Sequence, residues 1–351
     1  MGSLSRLPLG QGTIVPMNIV ILDDYQDVVR KLDCAAKLDA YSAKVYTNTV
    51  KGLGQLSVRL KDADILVLIR ERTHLNRQLL EKLPRLKLIS QTGHAGAHID
   101  IETCTERGIA VAQGTGSPYA PAELTWALIM AAAKRLPQYI GNLKHGAWQQ
   151  SGLKAASMPA NFGLGTVLRG RTCGIWGYGK IGQLVAGYAK AFGMQVLVWG
   201  SESSRDKAAK DGFIPAATRE AFFEQSDIVS LHLRLNDATR GIVTLEDLSR
   251  MKTSAMVINT SRAELIEQDA LISALNRGRP GLAAIDVFEH EPILQGHALL
   301  RLENCICTPH IGYVEKDNYE LYFGAAFDNV INFIKGTPTN IVNPGALQVR
   351  R

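Results

Sequence analysis

Several apolar runs in the second half of the chain end on residues that can bind or ionise: His232, Asn259 to Arg262, Asp286, and Thr308-Pro309-His310. Arg262 offers a planar fork that suits a carboxylate. An imidazole can give or take a proton near neutral pH, which makes His310 a candidate proton donor. Glu291, beside Pro292 and shortly after the Asp286 run, is a carboxylate suited to orient that imidazole and favour its charged form. A cation for a carboxylate, a proton donor, and an acid to hold the donor are what reduction of the carbonyl carbon of a small 2-oxo acid requires. Each residue alone is weak: a histidine at a strand end is more often structural. Glu289 and His290 read as solvated loop groups, since one acid suffices.

Such a reduction needs a hydride carrier, and the chain has a loop that fits one. Gly177-Tyr178-Gly179-Lys180-Ile181-Gly182 directly follows the apolar run Cys173 to Trp176 and opens a helical stretch running toward Phe192. Gly177 permits a tight turn, Gly179 lets backbone approach a pyrophosphate, and Gly182 allows helix and strand to pack closely. The N–H groups of Lys180 and Ile181 then open a helix whose positive end faces the phosphates. Glycines serving only a turn, or a methyltransferase loop, are the competing readings.

The acid that usually binds the ribose diol about twenty residues on is replaced by Gly200, followed by Ser201, Glu202, Ser203, Ser204 and Arg205. Ser201 and Arg205 suit a 2′-phosphate, whereas Glu202 could reach a ribose diol. The cofactor is therefore read as NAD(P)(H) with a lean toward NADP. The bland reading of Arg205 is a solvated charge at a helix start.

Two alternations of strand and helix position these groups. The first has apolar runs at 18–22, 44–46, 65–69, 86–90 and 109–112, with a helical pattern at 76–82. The second has runs at 172–176, 195–199, 227–233, 255–258, 282–285 and 305–307. Such alternation predicts parallel sheets covered on both faces. A helix over 121–134 lies between Gly/Pro-rich joints, with Pro137 just past its end. Residues 141–170 read as an extended arm or loop, and 319–334 as a terminal helix before a polar tail.

At 351 residues, two domains with a cleft between them are expected. Residues 1–16 read as a disordered extension or a remnant of expression, without the pattern of a secretory signal. The domains are expected at 17–117 plus 311–351 and at 118–310. A net charge of +6 is spread among acids with no basic block, which argues against nucleic acid. No apolar run is long enough for a membrane span. The five cysteines lack zinc spacing and suit a reducing cytosol, so neither metal nor membrane is expected and the location is read as cytoplasmic.

From about Met17 to Asn343 the chain resembles the D-isomer-specific 2-hydroxyacid dehydrogenase family. The resemblance is carried by Gly177 to Gly182, Ser226 to Leu233, Asn259 to Arg262, Asp286 to Pro292 and Thr308 to Gly312. It implies an α/β fold of two doubly wound parallel-sheet domains, a flavodoxin-like substrate domain built from both chain ends and a Rossmann nucleotide-binding domain, assembled as a homodimer. It also implies Arg262, Glu291 and His310 as the catalytic set, His232, Thr260 and Asp286 among the cofactor contacts, Asp286 touching the nicotinamide carboxamide, and D-stereochemistry.

The stretch His94-Ala95-Gly96 resembles the family loop whose backbone N–H groups bind substrate carboxylate. Arg70 and Arg72 are further candidates there, as are Tyr119, Trp148 and Tyr313 for the pocket, although solvated charge and simple packing are the plainer readings. The chain departs from the family pattern at Ala97-His98, Gly114 to Gly116, Gly200, Arg234 and Ala263, positions that bear on substrate and cofactor. Family members acting on formate carry Gln where Glu291 stands. The alternative in a different class is a dinucleotide-sensing interaction protein of the same fold, as in the corepressor branch.

Overall fold

The computed structural model describes residues 17–151 and 163–350. The chain divides into two compact units: the first runs to Gly116 and resumes at Lys316, and the second is Ser117–Glu315.

The first unit has five strands, β1 (Ile19–Ile21), β2 (Ala43–Val45), β3 (Ile65–Leu68), β4 (Leu88–Gln91) and β5 (Ala110–Gln113), with helices α1 (Leu53–Leu60), α2 (Arg77–Leu80) and α3 (Ile101–Glu106). They pair in parallel in the order β2-β1-β3-β4-β5. This is the flavodoxin-like order. Strands β1, β3 and β4 are buried at every position, as expected for a sheet covered on both faces. The polar residues inside β4 are satisfied: Ser90 Oγ donates to the Ala326 carbonyl at 2.8 Å, and Gln91 Nε2 to that of Arg70 at 2.9 Å. Asn76 and Asp100 cap α2 and α3.

The second unit contains α4 (Tyr119–Lys134), α5 (Leu136–Lys144), β6 (Thr172–Trp176), α6 (Lys180–Ala191), β7 (Gln195–Trp199), α7 (Glu202–Lys210), β8 (Ile214–Pro215), α8 (Arg219–Gln225), β9 (Ile228–Leu231), α9 (Leu245–Arg250), β10 (Met256–Asn259), α10 (Ala270–Asn276), β11 (Leu282–Ile285) and β12 (Cys305–Cys307). Its seven strands pair in parallel in the order β12-β11-β10-β9-β6-β7-β8. The long helix α11 (Lys316–Ile334) returns to the first unit. No described helix is long and apolar enough to cross a membrane.

Two expectations are corrected. The second sheet has seven strands rather than six, because the two-residue β8 pairs with β7 through Leu197 and Val198, too short a run to show periodicity. Pro137 lies just past the end of α4, as expected, and also in the first turn of α5, where its missing N–H is tolerated. Residues 141–144 are consequently helical rather than loop, and residues 152–162 of the expected arm lie outside the described part. The chain turns between α4 and α5 at Arg135, which takes a left-handed conformation.

The reversal of strand order falls at β6, which pairs with β7 on one side and β9 on the other. Ligands of such sheets bind at the carboxyl edge beside that reversal. Trp176, the last residue of β6, is pinned edge-on by Phe222 and Phe223 with centroids 6.1 and 5.7 Å away. Burial of each aromatic contributes about 1.5–3 kcal/mol, which anchors the end of the strand where the glycine loop begins.

Candidate active site

All strands of the second sheet are parallel, so the residues following each of them emerge at one edge. The glycine loop follows β6. Gly177 has φ +99°, and a Cβ there would lie 2.6 Å from the His232 carbonyl oxygen; one at Gly182 would lie 2.1 Å from that of Gly177. Neither position admits a side chain. Gly179, which precedes Lys180 at the start of α6, has nothing within 4 Å of a Cβ position, leaving open space before the first-turn N–H groups of Lys180, Ile181 and Gly182. The first backbone bond of the helix runs from Gln183 N–H to the Gly179 carbonyl. Room, rigid glycines and orphan N–H donors fit a dinucleotide pyrophosphate. Lys180 is exposed, while Ile181 packs against the core.

Beyond β7, Ser201 caps α7, and its Oγ lies 3.0 Å from Ser203 Oγ and 3.1 Å from Ser204 Oγ. The Arg205 guanidinium lies 5.0 Å from the centre of the Trp199 ring, and its Nε is enclosed without a hydrogen-bond partner among the described residues. Stacking on Trp199 is not legible in the sequence; a tryptophan six places before an arginine across a turn carries no periodic signal.

His232 follows β9. Its Nε2 lies 2.9 Å from Ser230 Oγ, its Nδ1 is enclosed without a partner among the described residues, and burial pushes its pKa down to about 4. It is a neutral imidazole at neutral pH. Thr260 Oγ1 is 2.7 Å from Thr125 Oγ1 of α4, a tie between helix and loop that the sequence did not disclose.

The turn after β10 is held by its own polar groups. Asn259 accepts from Ser261 N–H at 3.0 Å and donates to the Arg262 carbonyl at 2.8 Å, while Ser261 Oγ donates to the Leu231 carbonyl at 2.7 Å. Arg262 Nη1 donates to the Ser261 carbonyl at 2.6 Å.

After β11, Phe288 N–H donates to Glu291 Oε1 at 3.0 Å, and the other oxygen of Glu291 lies 2.6 Å from His310 Nδ1. Burial by itself raises the Glu291 carboxyl, but the His310 hydrogen bond and charge, the Phe288 N–H and the positive Arg262 outweigh it and bring the net pKa below the usual glutamate value. Arg262, Glu291 and His310 therefore share one electrostatic neighbourhood. His310 sits at φ +51° with 21% of its side chain exposed, and the Tyr313 ring packs edge-on at 5.4 Å. With Nδ1 turned to Glu291, Nε2 is the ring nitrogen not engaged by that carboxylate. Tyr313 is buried and packs; Tyr119 and Trp148 are exposed. Glu289 lies 3.7 Å from His297 and His290 is exposed.

In the first unit, His94, Ala95 and Gly96 follow β4 at the carboxyl edge of its sheet. His94 Nδ1 is 3.3 Å from Gln113 Oε1. A Cβ on Gly93, which has φ +82°, would lie 2.2 Å from Arg70 Nη1, so only glycine lets Arg70 lie against this loop. The Arg72 guanidinium reaches Tyr319 Oη at 3.1 Å and lies 4.6 Å from the centre of the Tyr25 ring.

Known proteins resemble this chain in sequence and in fold. Residues 126–312 match the family described as "D-isomer specific 2-hydroxyacid dehydrogenase, NAD binding domain". The chain is 35% identical to a glyoxylate reductase of Aeropyrum pernix over 84% of this chain and 87% of that protein. It is 31% identical to a hydroxypyruvate reductase of Blautia hydrogenotrophica over 93% and 100%. A solved structure described as a putative D-3-phosphoglycerate dehydrogenase oxidoreductase from Ralstonia solanacearum superposes with TM-score 0.93 at 62% identity, covering 94% of this chain and 98% of that one. A nucleotide-binding sheet with its glycine loop in place, an Arg, Glu and His set at the same edge, and relatives matched over nearly their whole length together assign this chain to the D-isomer-specific 2-hydroxyacid dehydrogenase family.

Proposed function

We propose that the chain is a D-2-hydroxyacid dehydrogenase acting as a reductase of a small 2-oxo acid, with His310 as the proton donor. The observation that carries this reading is the 2.6 Å contact between His310 Nδ1 and Glu291, at the edge where the glycine loop and Arg262 also emerge. The nicotinamide, when bound, supplies the hydride to the carbonyl carbon. Arg262 binds and orients the substrate carboxylate. His310 gives the proton on Nε2 to the carbonyl oxygen as charge develops there, and Glu291 stabilises the imidazolium before transfer. In the first unit, the N–H groups of His94, Ala95 and Gly96 are candidates for binding a carboxylate, supported by the small Ala95 and Gly96 of that loop. The test is loss of nicotinamide absorbance with glyoxylate, hydroxypyruvate, pyruvate or phenylpyruvate. Cofactor oxidation with at least one is expected; none with any, although the cofactor binds, would contradict the reading.

For the cofactor the reading leans to NADP, supported by three hydroxyls at the start of α7 and Arg205 held against Trp199. Such a set offers a 2′-phosphate both hydrogen bonds and charge. Arg205→Ala is expected to lower kcat/KM for NADPH about tenfold relative to NADH; equal loss with both cofactors would show that Arg205 plays no part in the choice.

A homodimer is proposed as well. Helix α5 buries no residue, and Leu136, Ile140, Leu143 and Trp148 stand exposed, Trp148 at 74%. An apolar face of this kind calls for a cover. Sedimentation should give twice the chain mass; a monomer at micromolar concentration would refute this.

A further inference from the structure

Strand β12 carries two cysteines that the proposed reaction does not use. Cys305 and Cys307 are its first and last residues, and alternation along a strand places both side chains on the same face. Their Sγ atoms lie 3.7 Å apart, both residues are partly exposed, and neither is in a disulfide. The strand is the outer one of its sheet, paired to β11 alone. We propose that Cys305 and Cys307 form a chelating pair for a thiophilic divalent cation of the zinc and cadmium class. Their spacing lies outside the patterns of structural zinc sites, which is why the cysteine count by itself predicts no metal.

Distance decides between a metal and a disulfide. Thiolates bind zinc at about 2.3 Å, and a tetrahedral angle between two of them sets the sulfurs about 3.8 Å apart. The pair already stands at that separation. A disulfide needs Cβ atoms about 3.5–4.5 Å apart, whereas a rise of about 3.3 Å per residue separates the bases of side chains at i and i+2 by about 6.6 Å. The ladder holds that spacing, with Cys305 opposite Ala283 and Cys307 opposite Ile285.

Charge agrees with distance. On binding, each thiol gives up one proton to solvent and both sulfurs bond the cation, with no electrons transferred. The two thiolates cancel the charge of the cation, so a neutral unit sits against the apolar core on which both cysteines pack. The S–H of Cys305, directed at Cys307, holds the Cys307 thiol below its usual value and readies one of the two thiolates. No group of three or more His, Cys, Asp and Glu that could hold a metal occurs among the described residues. Water therefore fills the remaining coordination positions, and the cation exchanges readily.

The probe is Cd2+ alone, added to the reduced full chain and followed by sulfur-to-metal charge-transfer absorption. One Cd2+ per chain is expected, and Cys305→Ser and Cys307→Ser should each weaken binding at least about tenfold. Cys34→Ser, which removes a partly exposed thiol of the first unit, should leave binding unchanged. Bound Cd2+ should also shield Cys305 and Cys307 of the unaltered chain from iodoacetamide, as mapped by mass spectrometry. That measurement decides the matter should a serine variant fail to fold. No charge-transfer absorption at saturating Cd2+, or binding that survives both serine variants, would overturn the metal site. A disulfide between the two cysteines formed with a hydroperoxide, in a chain whose reduced form takes up no Cd2+, would replace it with a redox pair.

Discussion

His310→Ala is expected to lower kcat for reduction of a 2-oxo acid by about 10²–10⁴-fold, the range that a positioned general acid supplies. The imidazole is held through Nδ1 by the 2.6 Å contact to Glu291, and in the proposed reaction the other nitrogen gives the proton. Without it, a proton must come from unpositioned water as negative charge builds on the carbonyl oxygen. Among the described residues His310 is bonded to Glu291 and Thr308 and not to the glycine loop, so cofactor affinity measured by fluorescence quenching should stay as in the wild type. Wild-type kcat in the variant would show that another group donates the proton.

Arg262→Ala is expected to reduce kcat/KM by a comparable factor through a different route. Its turn is braced by Asn259 and Ser261, so the guanidinium is presented at the sheet edge with little freedom to lose on binding. Removing one member of a desolvated, hydrogen-bonded charge pair costs about 2–5 kcal/mol, or about 30- to 5,000-fold in kcat/KM. The loss should appear both in KM and in kcat, because a substrate without its anchor is also misaligned for hydride transfer. Arg262→Lys should recover only part of it, since an ammonium cannot make the two parallel bonds of a guanidinium. Unaltered kcat/KM in the alanine variant, measured with a substrate that saturates the wild type, would remove Arg262 from the mechanism.

Much of this site is legible in the sequence, for a physical reason. In a parallel sheet the groups that meet a ligand follow the strands, so the end of each apolar run marks a position at one edge; Gly177, Ser201, His232, Arg262 and His310 can all be located that way. The glycine pattern is equally readable, because Gly177 and Gly182 are demanded by contacts of 2.6 and 2.1 Å that no side chain survives. What eludes a linear reading is contact that depends on backbone direction. The bonds to Asp286 from Ile311 and Gly312 exist because His310 is left-handed, and φ at one histidine is not written in residue type. The pair Thr125 and Thr260 and the stack of Arg205 on Trp199 are hidden for the same cause. Helix α5 is hidden in the sequence because Pro137 looks like a stop signal when it also suits a first turn.

The reading that Arg262, Glu291 and His310 reduce a 2-oxo acid is tested most directly by following the transferred hydrogen. NADPH and NADH carrying deuterium at C4 of the nicotinamide ring would each be incubated with the protein and hydroxypyruvate, glyoxylate or pyruvate, and the product examined by NMR and mass spectrometry. The expected result is a 2-hydroxy acid with one deuterium at C2, of D configuration where that carbon is a stereocentre. Bound cofactor that transfers no deuterium to any of these acids would contradict the account and point to a protein that senses the dinucleotide rather than using it.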